Sequence, residues 1–317
     1  MTEPLLRRLH ARGDTLTVGA LPWVAPVYRA MPQVDEVLEF PFAHGGLQWR
    51  VRRSLARQLR GRFDVAYVCP NSLKSALLPW WAGIPTRVGY QGEARRWLLT
   101  RTLANPSKGD RPAMVAFYSD LSGEAGSAKE LPVLRVNDTQ VEAVLTELQL
   151  RRQRYTVLAP GAEYGSAKRW PIQHFAALAR QLTDTVVLLG SAKEAALCAD
   201  IAHAANAGQS GHCLDLSGRT SLDQALAIIA AARAVVSNDS GLMHVAAALR
   251  VPQVAIFGSS SPLHTPPLSE TATVLWLKAD PHYLPPLDCA PCYARECPLG
   301  HTRCLVDIPP EKVLQVL

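Results

Sequence analysis

The stretch Val236–Ala248, VSNDSGLMHVAAA, decides the fold of this chain because a strand, a turn and a helix follow one another within it. Its apolar start predicts a short buried strand, and its Ala-rich end predicts a helix. Asp239 and Ser240 are typical helix caps, and Gly241 lets a ligand approach the backbone closely. The helix N-terminus suits a phosphate, with His244 in the first turn facing the same place. Plain helix capping explains the same residues equally well.

A second strand-loop-helix segment, Thr156–Pro171, has the sequence TVLAPGAEYGSAKRWP. Pro171 suits the first turn of a helix, and Lys168 places a cation beside a glycine-containing loop. Two such loops, each ahead of a helix, predict a diphosphate site at the carboxyl ends of parallel strands. Taken alone, Lys168 would be read as a solvated surface lysine.

Further motifs recur along the chain. The segment Lys168–Pro171, KRWP, precedes Asn238–His244, and both are flanked by Pro70–Glu93 and by the cysteine run Cys289–His301. In this order and spacing the motifs resemble those of glycosyltransferase family 9, the heptosyltransferases of lipopolysaccharide core synthesis. The two flanking segments are similar to the heptosyltransferase II branch, which adds the second heptose. The likeness runs from about Leu5 to the end of the chain.

The domain organisation follows from the alternation of strands and helices, which requires parallel sheets covered on both faces. The resemblance implies the GT-B fold, an α/β class in which two Rossmann-like, doubly wound domains face a central cleft. The polar, basic segment Leu150–Arg154 suggests the boundary. We therefore expect an acceptor-binding domain over 1–150 and an ADP-heptose-binding domain over 151–317.

The resemblance implies that Lys168 stabilises the departing ADP, where developing negative charge benefits most from a fixed cation. Glu194 follows another strand, where a carboxylate accepts hydrogen bonds from ribose hydroxyls or complements a helix N-terminus. The expected donor-binding residues are Lys168, Glu194, Asp239, Ser240, Gly241 and His244.

The acceptor that the resemblance implies is heptosyl-Kdo2-lipid A, an inner-core lipid with carboxylates and phosphates. Arginine matches such anions with two parallel hydrogen bonds. Each arginine alone would be read as surface charge. The expected acceptor-binding residues are Asn71, Ser72, Lys74, Arg87, Arg95 and Arg96.

The C-terminal run is rich in cysteine, and its spacings are compact enough for a structural zinc ion. Free thiols in a proline-braced loop are the alternative. No cofactor is expected for the reaction, and whether a divalent cation assists stays open. The candidate metal ligands are Cys289, Cys292, Cys297 and Cys304, together with His301.

The net charge of +6 is concentrated in the first half, on a helix predicted to carry Arg50, Arg52, Arg53, Arg57, Arg60 and Arg62 on its outer face. Its buried face is predicted from the four-residue recurrence of Leu47, Val51, Leu55 and Leu59. Such a face favours phospholipid headgroups or a phosphorylated lipid acceptor over nucleic acid, for which no motif is present. With no membrane-spanning run and no signal-peptide layout, we expect a cytoplasmic protein at the inner face of the cytoplasmic membrane.

The segment Met1–Leu9 matches the helix that follows the family's opening strand and loop. The aspartate general base of that loop is therefore expected upstream of Met1. We expect a start assigned to a downstream methionine rather than a true short form.

The function that the resemblance implies is inverting transfer of L-glycero-D-manno-heptose from ADP-heptose to the first heptose of the inner core. One alternative is heptosyltransferase I or another core transferase. The other is a catalytically silent protein that binds a nucleotide sugar or lipid A.

Overall fold

The computed structural model describes residues 1–43, 46–107, 112–126, 129–207 and 212–317. The chain divides into two compact units, Met1–Arg29 with Gln33–Glu130 and Ala30–Pro32 with Leu131–Leu317. The second unit thus begins earlier than the boundary expected near residue 150. The reason is that the helix Asp138–Glu147 packs against the helix Leu222–Ala230 of the second unit.

The first unit alternates short strands and helices. Its helices are α1 (Glu3–Ala11), α2 (Ala25–Arg29), α3 (Trp49–Gln58), α4 (Leu73–Trp81) and α5 (Met114–Ser119). Its strands are β1 (Thr17–Ala20), β2 (Glu36–Glu39), β3 (Val65–Val68), β4 (Thr86–Tyr90) and β5 (Arg101–Leu103).

The strands of the first unit form two parallel sheets, one of β1 with β2 and one in the order β3-β4-β5. The inward side chains of α1 pack on the second sheet, where Leu5 and Leu9 lie in one cluster with Tyr90 and Phe117. The two aromatic rings stack with centroids 3.8 Å apart. This packing fixes the carboxyl ends of β3 and β4, which carry the predicted acceptor residues.

Helix α3 buries only part of the face that the sequence predicts: Leu59 is buried and Leu55 packs against the same core cluster. Val51 is exposed, whereas Arg52 is buried together with Ala56. The Arg52 guanidinium carbon lies 3.9 Å from the Phe42 ring centroid, and its Nε donates to the Leu47 carbonyl at 2.7 Å. An arginine is stable there because the ring and the carbonyl replace its hydration.

The second unit has the same alternation over a longer stretch. Its helices are α6 (Asp138–Glu147), α7 (Ile172–Gln181), α8 (Ala195–Asn206), α9 (Leu222–Ala230), α10 (Gly241–Ala248), α11 (Arg303–Val306) and α12 (Pro310–Gln315). Its strands are β6 (Tyr155–Ala159), β7 (Thr185–Leu188), β8 (Cys213–Asp215), β9 (Ala234–Asn238), β10 (Gln253–Ile256) and β11 (Ala272–Leu275).

The strands of the second unit form one parallel sheet in the order β11-β10-β9-β6-β7-β8. All residues of β6 and β9 are buried, as expected for central strands covered by helices on both faces. The two strands are neighbours with Ala159 opposite Ser237, so their carboxyl ends lie side by side. That adjacency places the two predicted phosphate-binding loops together.

Side-chain caps set several helix starts in the second unit. Ser221 and Gln224 form a reciprocal capping box at α9, and Asn137 accepts a hydrogen bond from Thr139 N at α6. Within the described residues, no helix combines the length and the apolar character needed to cross a bilayer.

Candidate functional site

The centre of the candidate site is an ion pair between the two predicted loops. Lys168 Nζ lies 2.5 Å from Asp239 Oδ2, although 71 residues separate them in sequence. The Asp239 side chain is 6% exposed and that of Lys168 is 18% exposed, so the lysine side chain is the more accessible partner. Thr265 Oγ1 donates to the other Asp239 oxygen at 3.4 Å. Asp239 therefore orients Lys168 and leaves its cation open to an anionic ligand.

Asn238 joins the two loops beneath this pair. Its Nδ2 donates to the Pro160 carbonyl at 2.7 Å, and its Oδ1 accepts from the backbone N–H of Trp170 at 2.9 Å. Trp170 is itself buried, and its indole Nε1 donates to the Ile308 carbonyl at 2.9 Å. Both ends of the Lys168 loop are thus fixed to the end of β9.

The N-terminus of α10 lacks the side-chain cap that the sequence predicts. Ser240 occupies the N-cap position but makes no side-chain capping hydrogen bond, and its Oγ has no partner among the described residues. Asp239 pairs with Lys168 rather than capping the helix. The space beside Gly241 is open, with no atom within 4 Å of where a Cβ would stand. The first-turn N–H groups therefore stay available for an anion.

His244 lies one turn into α10 and is half-buried. Burial, with a smaller contribution from Lys168, lowers the pKa of His244 to about 4 against the opposing effect of Asp239. The imidazole is consequently neutral at physiological pH and offers one N–H donor rather than a positive charge.

Glu194 has the helix-capping role that the sequence offered, and its contact with the ribose stays a prediction. Its Oε2 accepts hydrogen bonds from Ser191 N at 2.7 Å and Ser191 Oγ at 2.9 Å, which completes a capping box ahead of α8. Its Oε1 would lie 1.8 Å from a Cβ placed on Gly161. The carboxylate therefore lies against the loop that follows β6, at the same edge of the sheet as Lys168.

Segments that the sequence did not assign to the site brace the Lys168 loop. Ala167 N donates to the Arg295 carbonyl at 3.0 Å, and Ser259 N donates to the Ala167 carbonyl at 3.3 Å. The Tyr164 ring lies 5.4 Å from Lys168 Nζ and 5.2 Å from the Arg295 guanidinium carbon. Arg295 thus adds a second cation beside the loop, and the cysteine-rich run positions it.

The four candidate metal-binding cysteines share one small cavity. Its volume of about 20 Å³ suits a single atom or water molecule, and it is lined by Cys289, Cys292, Cys297 and Cys304 with His301 among others. Burial raises the pKa of Cys304 to about 11, and the neighbouring cysteines raise it as well. Within the described ranges, no group of three or more His, Cys, Asp or Glu side chains is placed to hold a metal ion.

Two of the predicted acceptor arginines serve the framework of the first unit. Arg95 is fully buried, with its Nε donating to the Tyr90 carbonyl at 2.7 Å and its NH2 nitrogen to Asn71 Oδ1 at 2.8 Å. Arg87 Nε donates to the Leu98 carbonyl at 2.6 Å. From the sequence alone, an arginine is interpreted as a surface charge or as a ligand for an anion. An arginine that is buried against backbone carbonyls has no sequence pattern that distinguishes it.

The other predicted acceptor residues lie at the carboxyl end of the β3–β4 sheet or just beyond it. Asn71 is exposed and orients its side chain toward Arg95, whereas Ser72 is half-buried at the N-cap position of α4 without a side-chain capping bond. Lys74 is half-buried in the first turn of α4, and Arg96 is exposed. Their part in acceptor binding stays a prediction.

Comparison with known proteins decides the family. Residues 52–302 match glycosyltransferase family 9 (heptosyltransferase). The chain belongs to this family. It is 42% identical to lipopolysaccharide heptosyltransferase 2 of Escherichia coli, over 100% of this chain and 93% of that protein. It is 38% identical to lipooligosaccharide heptosyltransferase 2 of Haemophilus influenzae, over 87% and 84%.

Solved structures support the same assignment. The E. coli ADP-heptose LPS heptosyltransferase II superposes with a TM-score of 0.84 at 39% identity, covering 99% of this chain and 92% of that chain. A family 9 glycosyltransferase from Veillonella parvula, only 18% identical, shares the fold with a TM-score of 0.78 over 99% and 91% of the two chains. The predicted resemblance and the α/β, GT-B fold class are confirmed.

The fold brings most of the predicted donor residues of this family 9 chain to one sheet edge. Lys168 and Asp239 are in contact, Ser240 and Gly241 begin α10, and Glu194 lies against the β6 loop. The sequence missed the positioning roles of Asn238, Thr265 and Arg295. Asn238 belongs to the Asn238–His244 motif, and a side-chain amide at the end of a buried strand was the sequence feature that could have indicated its role. No sequence feature indicated the roles of Thr265 and Arg295.

Proposed function

We propose that this chain transfers a heptosyl group from ADP-heptose to the first heptose of a lipopolysaccharide inner core, with inversion. The observation that carries the proposal is the Lys168–Asp239 pair beside the uncapped N-terminus of α10. Its support is the match to relatives named lipopolysaccharide heptosyltransferase 2 and to a structure named for ADP-heptose.

The geometry of this sheet edge supports the donor side of the proposed reaction. The acceptor hydroxyl attacks the anomeric carbon from the opposite side and gives its proton to the aspartate general base that the resemblance implies. ADP leaves, and its diphosphate gains negative charge as the bond between the sugar and the phosphate breaks. Lys168 is oriented by Asp239 toward that charge, and the α10 N–H groups and neutral His244 add hydrogen-bond donors. Fixed donors of this kind stabilise a developing oxyanion without reorganisation.

The remaining donor and acceptor contacts complete the proposal. Glu194 binds the ribose through the carboxylate oxygen that faces Gly161. Heptosyl-Kdo2-lipid A is bound through Asn71, Ser72, Lys74 and Arg96, with Arg87 and Arg95 positioning the loops that carry them. Because that acceptor is a lipid, we place the chain at the cytoplasmic face of the inner membrane, in peripheral contact with it.

The test is a mass-spectrometric transfer assay with ADP-heptose and heptosyl-Kdo2-lipid A, run beside calorimetry with ADP. Lys168→Met is expected to lower kcat by roughly 100- to 1000-fold, the effect of removing one transition-state donor. It is expected to weaken ADP binding by roughly 10- to 100-fold, because a charge-assisted hydrogen bond is lost. Lys193→Met is the matched control, because Lys193 is exposed and pairs only loosely with Glu163 at 3.8 Å.

A second variant separates catalysis from folding. Lys168→Met leaves the buried Asp239 carboxylate without its cation, which lowers stability. In Lys168→Met/Asp239→Asn the stranded charge is absent, so we expect the melting temperature to recover while transfer stays lost. Recovery of transfer in the double variant, or wild-type transfer in Lys168→Met, would overturn the role of Lys168. ADP binding by the wild type without any product would point to the silent-binder alternative.

A further inference from the structure

The outward face of α3 is strongly basic. Because Arg52 is packed beneath the helix, the opposite face is turned to solvent. Arg50, Arg53 and Arg57 are spaced by three and four residues, so they share that face, and Arg60 follows in the next turn. All four are exposed. The helix therefore presents a row of guanidinium groups on one side.

The sequence on either side of these arginines supplies no carboxylate to neutralise them. No Asp or Glu occurs in the sequence between Glu39 and Asp64. Within the described residues, none of the four forms an ion pair, whereas the nearby Arg62 is paired with Glu36 at 3.1 Å. The charge of the row is thus directed outward.

Exposed indoles adjoin the basic row. Trp49, at the start of α3, meets the Trp81 ring of α4 edge to face with centroids 4.5 Å apart, and the Trp80 ring lies 6.4 Å from that of Trp81. Trp49 is 48% exposed and Trp80 is 46% exposed, and Leu47 and Val51 are also exposed nearby in sequence. Indole rings of this kind favour the headgroup region of a bilayer, where an apolar body and an N–H are both accommodated.

We propose that this Arg–Trp surface, formed by Trp49, Trp80 and the four exposed arginines of α3, docks the protein on an anionic phospholipid bilayer. The arginines attract the headgroups, and the indoles with Leu47 and Val51 enter the boundary between headgroups and acyl chains. The inference rests on the proposed function only in that the acceptor is a lipid.

Other occupants fit the surface less well. A second copy of the chain, related by a twofold axis, would set the basic row against itself with no carboxylate between Glu39 and Asp64 to pair with it. A nucleic acid would satisfy the arginines, but the aliphatic Leu47 and Val51 gain nothing from phosphates. A bilayer surface accommodates the charge and the apolar groups together.

The test is co-sedimentation of the full chain with phosphatidylcholine vesicles, with or without phosphatidylglycerol. Each basic residue near an anionic surface contributes about fivefold in affinity, so Arg50→Gln/Arg53→Gln/Arg57→Gln is expected to weaken binding to the anionic vesicles on the order of 100-fold. The matched control removes the same charge at exposed positions of the other unit, in Arg151→Gln/Arg154→Gln/Arg250→Gln. Trp49→Ser/Trp80→Ser is expected to weaken binding at high salt, where the apolar contribution remains.

Three readouts decide the proposal. Support requires a preference for anionic vesicles, loss in the α3 triple variant alone, and unchanged ADP binding and unchanged transfer to a deacylated acceptor in that variant. Equal losses in both triple variants would overturn it, as would tighter binding to duplex DNA than to vesicles or a concentration-dependent dimer that the α3 variant abolishes. Reduced transfer to the deacylated acceptor would assign the surface to the acceptor instead of the bilayer. Vesicle binding is measured without donor or acceptor, so it stands or fails independently of heptosyl transfer.

Discussion

Replacement of Asn238 tests whether the donor site is held together by one buried amide. Asn238 is fully buried and donates weakly to the Gly161 carbonyl at 3.5 Å; its two short hydrogen bonds reach the Pro160 carbonyl and the Trp170 N–H, both also in buried residues. Asn238→Ala leaves these two groups without partners. A buried polar group left unsatisfied costs about 1–3 kcal/mol, so the expected loss of stability is roughly 2–6 kcal/mol.

A second variant, Asn238→Asp, tests the same hydrogen bonds through the pH dependence of the stability. The aspartate still accepts from the Trp170 N–H. Its second oxygen takes the place of the amide nitrogen that donates to the Pro160 carbonyl at 2.7 Å, so two acceptor oxygens face each other. Burial raises the pKa of such a carboxyl, so the folded state binds a proton more tightly than the unfolded state does. The stability of this variant is therefore expected to rise as the pH falls from about 8 to about 5, because the protonated carboxyl donates to Pro160 again.

The assay is urea unfolding followed by circular dichroism, with ADP calorimetry on the same samples. Ser221→Ala is the control, because it removes a solvent-exposed capping box and is expected to cost only about 1 kcal/mol without changing ADP affinity. If Asn238→Ala costs no more than Ser221→Ala, or if Asn238→Asp shows wild-type pH dependence, the two hydrogen bonds do not hold the site. A large loss of stability with unchanged ADP affinity would refute the link between this amide and the donor loops.

Three further outcomes follow from the structure. Gly161→Ala is expected to displace the Glu194 carboxylate, because the new Cβ would lie 1.8 Å from Oε1, and so to weaken ADP binding by calorimetry; wild-type affinity would contradict the proposed ribose contact of Glu194. Burial lowers the pKa of His244 to about 4, so on acidification the unfolded state binds a proton before the folded state does. The free energy of unfolding is therefore expected to fall as the pH drops from about 6.5 toward 4. This pH dependence should be absent in His244→Gln. Native alkylation with iodoacetamide, read by mass spectrometry, should modify exposed Cys292 and spare buried Cys198, whose pKa burial raises to about 12; equal labelling would contradict the burial.

Arginine shows where prediction from the sequence alone is weakest. Arg52 stood in a basic run and Arg95 beside a motif, so both were expected to face outward or toward a ligand. In the structure Arg52 lies on the Phe42 ring, and Arg95 donates to the Tyr90 carbonyl at the end of β4 and to the Pro70 carbonyl after β3. The charge of an arginine lies several bonds from the backbone, so the periodicity of the sequence does not determine whether the guanidinium is buried or exposed.

The sequence by itself determined the α/β class, the two strand-loop-helix segments and the family, because these depend on local patterns and on motifs fixed in order. Lys168 and the Asn238–His244 segment were identified in this way. Tertiary structure decided that β9 lies beside β6 and not beside β8, its predecessor in sequence. That strand order pairs Lys168 with Asp239 across 71 residues. Strand order arises from long-range hydrogen bonding and the burial of both sheet faces, and no local pattern records it.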